Sequence, residues 1–87
     1  MKTRVAVIGI IVEDPDSVAA LNELLHEFAP YIIGRMGIPY RTHNMNVISV
    51  AVDATDDTIS ALAGRIGALP GISAKAAYSN AYTSDKE

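Results

Sequence analysis

Thr3-Arg4-Val5-Ala6-Val7-Ile8-Gly9-Ile10-Ile11-Val12 is rich in β-branched residues, too short for an ordinary buried helix, and closed by the acidic turn Glu13-Asp14-Pro15-Asp16. It reads as a strand. Ala6, Ile8, Ile10 and Val12 fall on one side, and Val5, Val7 and Ile11 on the other. Both sides are apolar, where a half-solvated antiparallel sheet would alternate apolar with polar. Whatever sheet holds this strand needs cover on two faces.

Working outward, Asp14-Pro15-Asp16-Ser17 is a helix start: Asp14 can cap free N–H groups, Pro15 suits the first turn, and Asp16 complements the positive end of the dipole. The apolar stripe Val18, Leu21, Leu24, Leu25 and Phe28 predicts a helix to about Ala29, stopped by Pro30. Tyr31 to Tyr40 is apolar but contains two glycines and a proline, which suits an edge or bulged strand. Arg41 to Asn44 connects a hairpin, and Asn46 to Ala54 alternates as a third strand. Thr55-Asp56-Asp57-Thr58 opens a second helix with core residues Ile59, Leu62, Ala63, Ile66 and Leu69, ended by Gly67 and Pro70. Gly71 to Ser79 alternates as a fourth strand, and Asn80 to Glu87 turns polar and is expected to fray apart from docking by Tyr82.

This order predicts an α+β, ferredoxin-like βαββαβ sandwich: a four-stranded antiparallel sheet with both helices on one face. With 87 residues the chain supports one modest core, so residues 1–80 are read as a single domain and 81–87 as a polar C-terminal tail. No further element covers the second sheet face, where Val5 or its even-numbered neighbours, Val47, Ser49, Ala51 and Ala77 would lie. An apolar face of that size marks an interface, and self-association into a homodimer or homotetramer is the economical answer.

Composition removes several functions. A net charge of −3 with scattered Lys and Arg leaves no footprint for nucleic acid or an anionic membrane. The absence of cysteine removes disulfides, thiol catalysis and iron–sulfur ligation. The apolar N-terminal run lacks a signal-peptide cleavage site and is shorter than a membrane helix, so a cytoplasmic protein is expected. No catalytic arrangement of acids, bases or nucleophiles stands out, so no enzymatic activity is expected.

The least ordinary segment is Gly34-Arg35-Met36-Gly37-Ile38-Pro39-Tyr40-Arg41. Glycine weakens a strand unless a ligand or a neighbouring subunit approaches the backbone. Arg35 and Arg41 can fork onto a carboxylate or phosphate, and Tyr40 can stack or hydrogen-bond, with Met36 between the glycines. The bland alternative is a bulged edge strand at a subunit boundary. The segment is no phosphate loop, lacking the Gly-Lys-Ser/Thr ending and the strand-to-helix context. Acylphosphatases carry a similar glycine-arginine pattern, but directly after their first strand. His26 and His43 are the only histidines, so a four-ligand transition-metal site would have to borrow carboxylates or ligands from another subunit. Glu13 and Asp14 could face a ligand at the first turn, and with Asp16 could hold a hard cation, but helix capping is the stronger reading of all three. No cofactor is indicated.

The stretches Ile8 to Asp14, Leu21 to Glu27 and above all Ile32 to Arg41, continuing through Ile48-Ser49-Val50, Ile59 to Leu62 and Leu69-Pro70-Gly71-Ile72, resemble the small regulators of the iron-only hydrogenase system. That resemblance implies a fold similar to ACT domains and to the C-terminal domain of nickel-responsive regulators, hence an ACT-like domain that pairs. Together with the glycines and Arg35, it leads to the expectation of a regulatory domain that senses a small anionic ligand at a subunit interface near Glu13, Asp14 and the Gly34 to Arg41 block, with hydrogenase maturation proteins as candidate partners. The alternatives are a metal-responsive module using His26 or His43, and an assembly scaffold without a small ligand. The chain departs from the nickel regulators in having no ribbon-helix-helix segment before its first strand and no cysteine for a square-planar site.

Overall fold

The computed structural model describes residues 2–85. Its elements are β1 (Lys2–Val12), α1 (Val18–Glu27), β2 (Ile32–Tyr40), β3 (Met45–Ala54), α2 (Asp56–Gly67) and β4 (Ile72–Asp85). The four strands form one antiparallel sheet in the order β2-β3-β1-β4. This is the expected ferredoxin-like arrangement. β1, apolar on both sides, takes an interior position between β3 and β4.

The even-numbered residues of β1, Ala6, Ile8, Ile10 and Val12, are buried against the helices together with Ile48, Val50, Val52 and Ala54 of β3. Leu21, Leu24 and Leu25 of α1 and Ile59, Leu62 and Ile66 of α2 close the other side of that core. Full burial of each large aliphatic side chain stabilises the fold by about 1.5–3 kcal/mol relative to exposure. The helix layer is tied at its surface by Arg65 of α2, which donates to both carboxylate oxygens of Glu27 at 2.8 and 3.2 Å.

The first helix is shorter than its pattern predicts. Asp14 Oδ1 accepts from the Asp16 N–H at 3.0 Å, but Pro15–Ser17 forms a 3-10 turn and α-helical geometry begins only at Val18. A second 3-10 turn, Ala29–Tyr31, carries Pro30, which lacks the N–H an α-helix would need there. The second helix begins as expected, with Thr55 Oγ1 accepting from the Thr58 N–H at 3.2 Å.

The fourth strand requires a correction. Fraying was expected from Asn80, yet β4 continues to Asp85 and pairs with Lys2, Thr3 and Arg4, after irregular register between Arg4 and Ala6. The physical reason is a set of side-chain clasps. The Arg4 guanidinium lies 4.8 and 5.0 Å from the ring centroids of Tyr78 and Tyr82, and donates to the Tyr82 hydroxyl at 3.0 Å. Tyr82 in turn donates to Asp56 at the start of α2, at 3.0 Å. The expected docking of Tyr82 is therefore present, and it holds the strand past Ser79. Residues 86 and 87 of the expected tail lie outside the described residues.

β2 is an edge strand with a bulge, but the bulge falls at Ile33 and not at a glycine. Ile32 pairs with Val52 and Gly34 with Ala51, so Ile33 is the extra residue. After it, Arg35 and Gly37 share the helix-covered side with Val50 and Ile48, while Gly34, Met36, Ile38 and Tyr40 share the opposite side with Ala51, Ser49, Val47 and Met45.

Candidate functional site

The alternation along β2 splits the segment singled out in the sequence. Arg35 points to the helix side, where its guanidinium donates to Asn22 Oδ1 of α1 at 3.2 Å. Asn22 and His26 are four residues apart on one face of α1, and both join Arg35 around a groove of about 350 Å³ whose apolar part is Leu25, Ala29 and Ile32. His26, weighed in the sequence as a metal ligand, thus lines the same groove as Arg35. Among the described residues no carboxylate forms an ion pair with Arg35. The groove therefore offers a guanidinium, an amide and an imidazole above an aliphatic floor.

Met36, Ile38 and Tyr40 lie on the open sheet face, Met36 and Ile38 being 69% and 65% exposed. With Val7, Ile11, Val47 and Ala51 they form the uncovered apolar surface anticipated from β1. Within it, Gly9 leaves a depression of about 350 Å³ bordered by Ile11, Val47, Ser49, Ser73 and Lys75. Neither Gly34 nor Gly37 has an atom closer than 3.8 Å to where a Cβ would stand, so no close approach within the chain demands them.

The remaining candidates lie elsewhere. Arg41 and His43 belong to a 3-10 turn joining β2 to β3, and the His43 ring packs on Tyr40 with centroids 5.1 Å apart. His26 and His43 sit at opposite ends of β2, and no three metal-ligating side chains cluster among the described residues. Glu13 lies five residues beyond Ile8, which shares a row with Val50 and Arg35, or about 17 Å along the strand direction at 3.3 Å per residue. Its N–H donates to Gly71 O at 2.8 Å, and the Asp14 carboxylate is taken up by its own turn. The structure brings His26, Asn22 and Arg35 together and leaves Glu13 and Asp14 apart from them. Asn22 was missed as a site residue; its spacing to His26 was the available signal.

The sequence profile of the TM1266-like family, "Iron-only hydrogenase system regulator, putative", matches residues 4–76. The chain belongs to the TM1266-like family. Among solved structures, the uncharacterized protein TM1266 from Thermotoga maritima is 34% identical, with a TM-score of 0.84, covering 87% of this chain and 96% of that one. A formyltetrahydrofolate deformylase from Pseudomonas putida superposes with a TM-score of 0.63 at 17% identity, over 88% of this chain and 29% of that one; this likeness shows the fold alone. No curated protein matches. The TM1266-like match contains the whole groove and most of the open face, and it ends before Tyr78 and Tyr82. No described helix is long and apolar enough to cross a membrane.

Proposed function

We propose that this TM1266-like chain is a non-catalytic regulatory domain of the iron-only hydrogenase system that works as a homo-oligomer and senses a small anionic molecule. The supporting observation is the Arg35 guanidinium, unpaired with any described carboxylate and held by Asn22 over an apolar floor. A guanidinium forks onto carboxylate or phosphate oxygens, Asn22 and His26 supply further polar contacts, and Leu25, Ala29 and Ile32 take the apolar part of the ligand. β2 is the transmitting element. Arg35 addresses the groove and its neighbour Met36 the open face, so ordering one side of the strand alters the surface offered to a second copy.

Thermal-shift measurement with a panel of small carboxylates and phosphates tests this reading. At least one compound is expected to raise the melting temperature of the wild type and to leave Arg35→Ala unchanged. Arg35 is exposed, so the variant keeps its fold. A shift of equal size in Arg35→Ala, or no shift from any compound, removes the groove as the sensor. Among the described residues, side-chain placement gives metal sensing no support.

A further inference from the structure

The open face carries a projection and a hollow in the same row. Reading across the sheet, Met36 of β2, Ser49 of β3, Gly9 of β1 and Lys75 of β4 are register partners. Met36 is the most exposed large hydrophobic residue of the described chain, and Gly9, two strands away, is the floor of the apolar depression.

We infer that a second copy packs face to face on this sheet, about a two-fold axis running along β3, so that Met36 of each copy fills the Gly9 hollow of the other. Such an axis carries β2 of one copy over β1 of its partner and leaves each row in place. Met36 then meets the partner's Gly9, Ile38 lies over the partner's Ile11, and small residues Ser49 and Ala51 stand at the axis, where the two sheets come closest. Lys75 falls outside the partner's β2, at the rim, where it keeps its water. At the far end Asp53, which accepts from Thr83 Oγ1 at 2.6 Å, bounds the apolar rows. The contact is isologous and closed, using each surface once.

The overlap is that of a small interface. Three overlapping strands about 4.8 Å apart, over the seven residues from Met45 to Ala51 at about 3.4 Å each, cover roughly 340 Å² in projection per copy. Accessible area follows side-chain relief and exceeds projection, which brings the pair to about the 1,000 Å² at the lower bound of specific interfaces.

This inference rests on the homo-oligomer part of the proposed function, and the test separates the two. Wild type, Gly9→Leu and the double variant Gly9→Leu/Met36→Ala are compared by size-exclusion chromatography with light scattering at micromolar concentration. A Cβ at Gly9 would meet only Lys75 O, at 3.9 Å, so the monomer accommodates the leucine. Gly9→Leu is expected to halve the assembly mass with an unchanged circular-dichroism spectrum. The double variant, which exchanges projection and hollow, is expected to restore it. Met36→Glu, at an exposed strand position, gives an independent reading: placing a carboxylate in the partner's hollow should weaken association at least about tenfold. Full association of folded Gly9→Leu or of Met36→Glu overturns the register while leaving self-association standing. A monomeric wild type overturns both and assigns the face to a different occupant.

Discussion

The Ser17 hydroxyl donates to the Pro70 carbonyl at 2.6 Å, joining two turns 53 residues apart. Ser17 is also the buried polar residue of the described chain, at 6% exposure. One turn connects β1 to α1 and the other α2 to β4, so this bond fixes both helices to the same end of the sheet. Ser17→Ala leaves the Pro70 carbonyl short of a partner and is expected to lower stability by about 1–3 kcal/mol in urea unfolding. A change below a few tenths would show that water replaces the hydroxyl.

Gly71 sits at the same junction with φ +68°, and a Cβ there would run into Asp14 Cβ and lie 3.0 Å from Asp14 N. Both the backbone conformation and the close approach require glycine. Gly71→Ala should therefore cost more than Ser17→Ala, about 2–4 kcal/mol by the same measurement. Gly71→Asn, which tolerates positive φ but keeps the overlap, separates the two causes.

The clasp at Arg4 predicts a local effect. Arg4→Ala removes the guanidinium lying against Tyr78 and Tyr82 and the bond to the Tyr82 hydroxyl. Amide exchange should speed up at residues 80–83 while Ile72 to Ala76, paired deep in the sheet, stays protected. Uniform protection across β4 would mean that backbone pairing alone holds the extension.

Acid should loosen the tie between the helices. The hydrogen bonds from Arg65, aided by its charge, hold the Glu27 carboxyl below its ordinary 4.5. The native state therefore binds this proton less readily than the unfolded chain, so the stabilisation is present above pH 4.5 and is lost as pH falls through the lowered native value. In Glu27→Gln the acid limb of stability should be shallower in that range, with little change at neutral pH, because both partners are exposed. An identical acid limb would remove the pair as a contributor.

Element types were legible because periodicity and end signals agreed: the two-sided apolar β1, the stripe of α1, and the Asp14 and Thr55 caps each point to one structure. The end of β4 was not legible. Asn80 to Asp85 is polar, and only the long-range meeting of Arg4, Tyr82 and Asp56 makes it a strand. The groove was half legible: Arg35 stood out by residue type, whereas Asn22 was missed although its four-residue spacing to His26 was there to be read. Which side Arg35 would face was hidden, because it depends on backbone pairing and not on residue type. Glu13 and Asp14 stood out for their charge, yet their turn uses the Glu13 N–H and the Asp14 carboxylate to build itself.

Ile33 gives the chain a parity. Because it is the one unpaired residue in β2, every side chain from Gly34 to Tyr40 is assigned its face by an odd count and not by its own chemistry. Excising Ile33 would exchange the two inventories at once, sending Arg35 to the open sheet and Met36 beneath α1. Among relatives, length at this point is thus worth more than identity: a chain that keeps the arginine but loses one residue before it would keep the letter and lose the site.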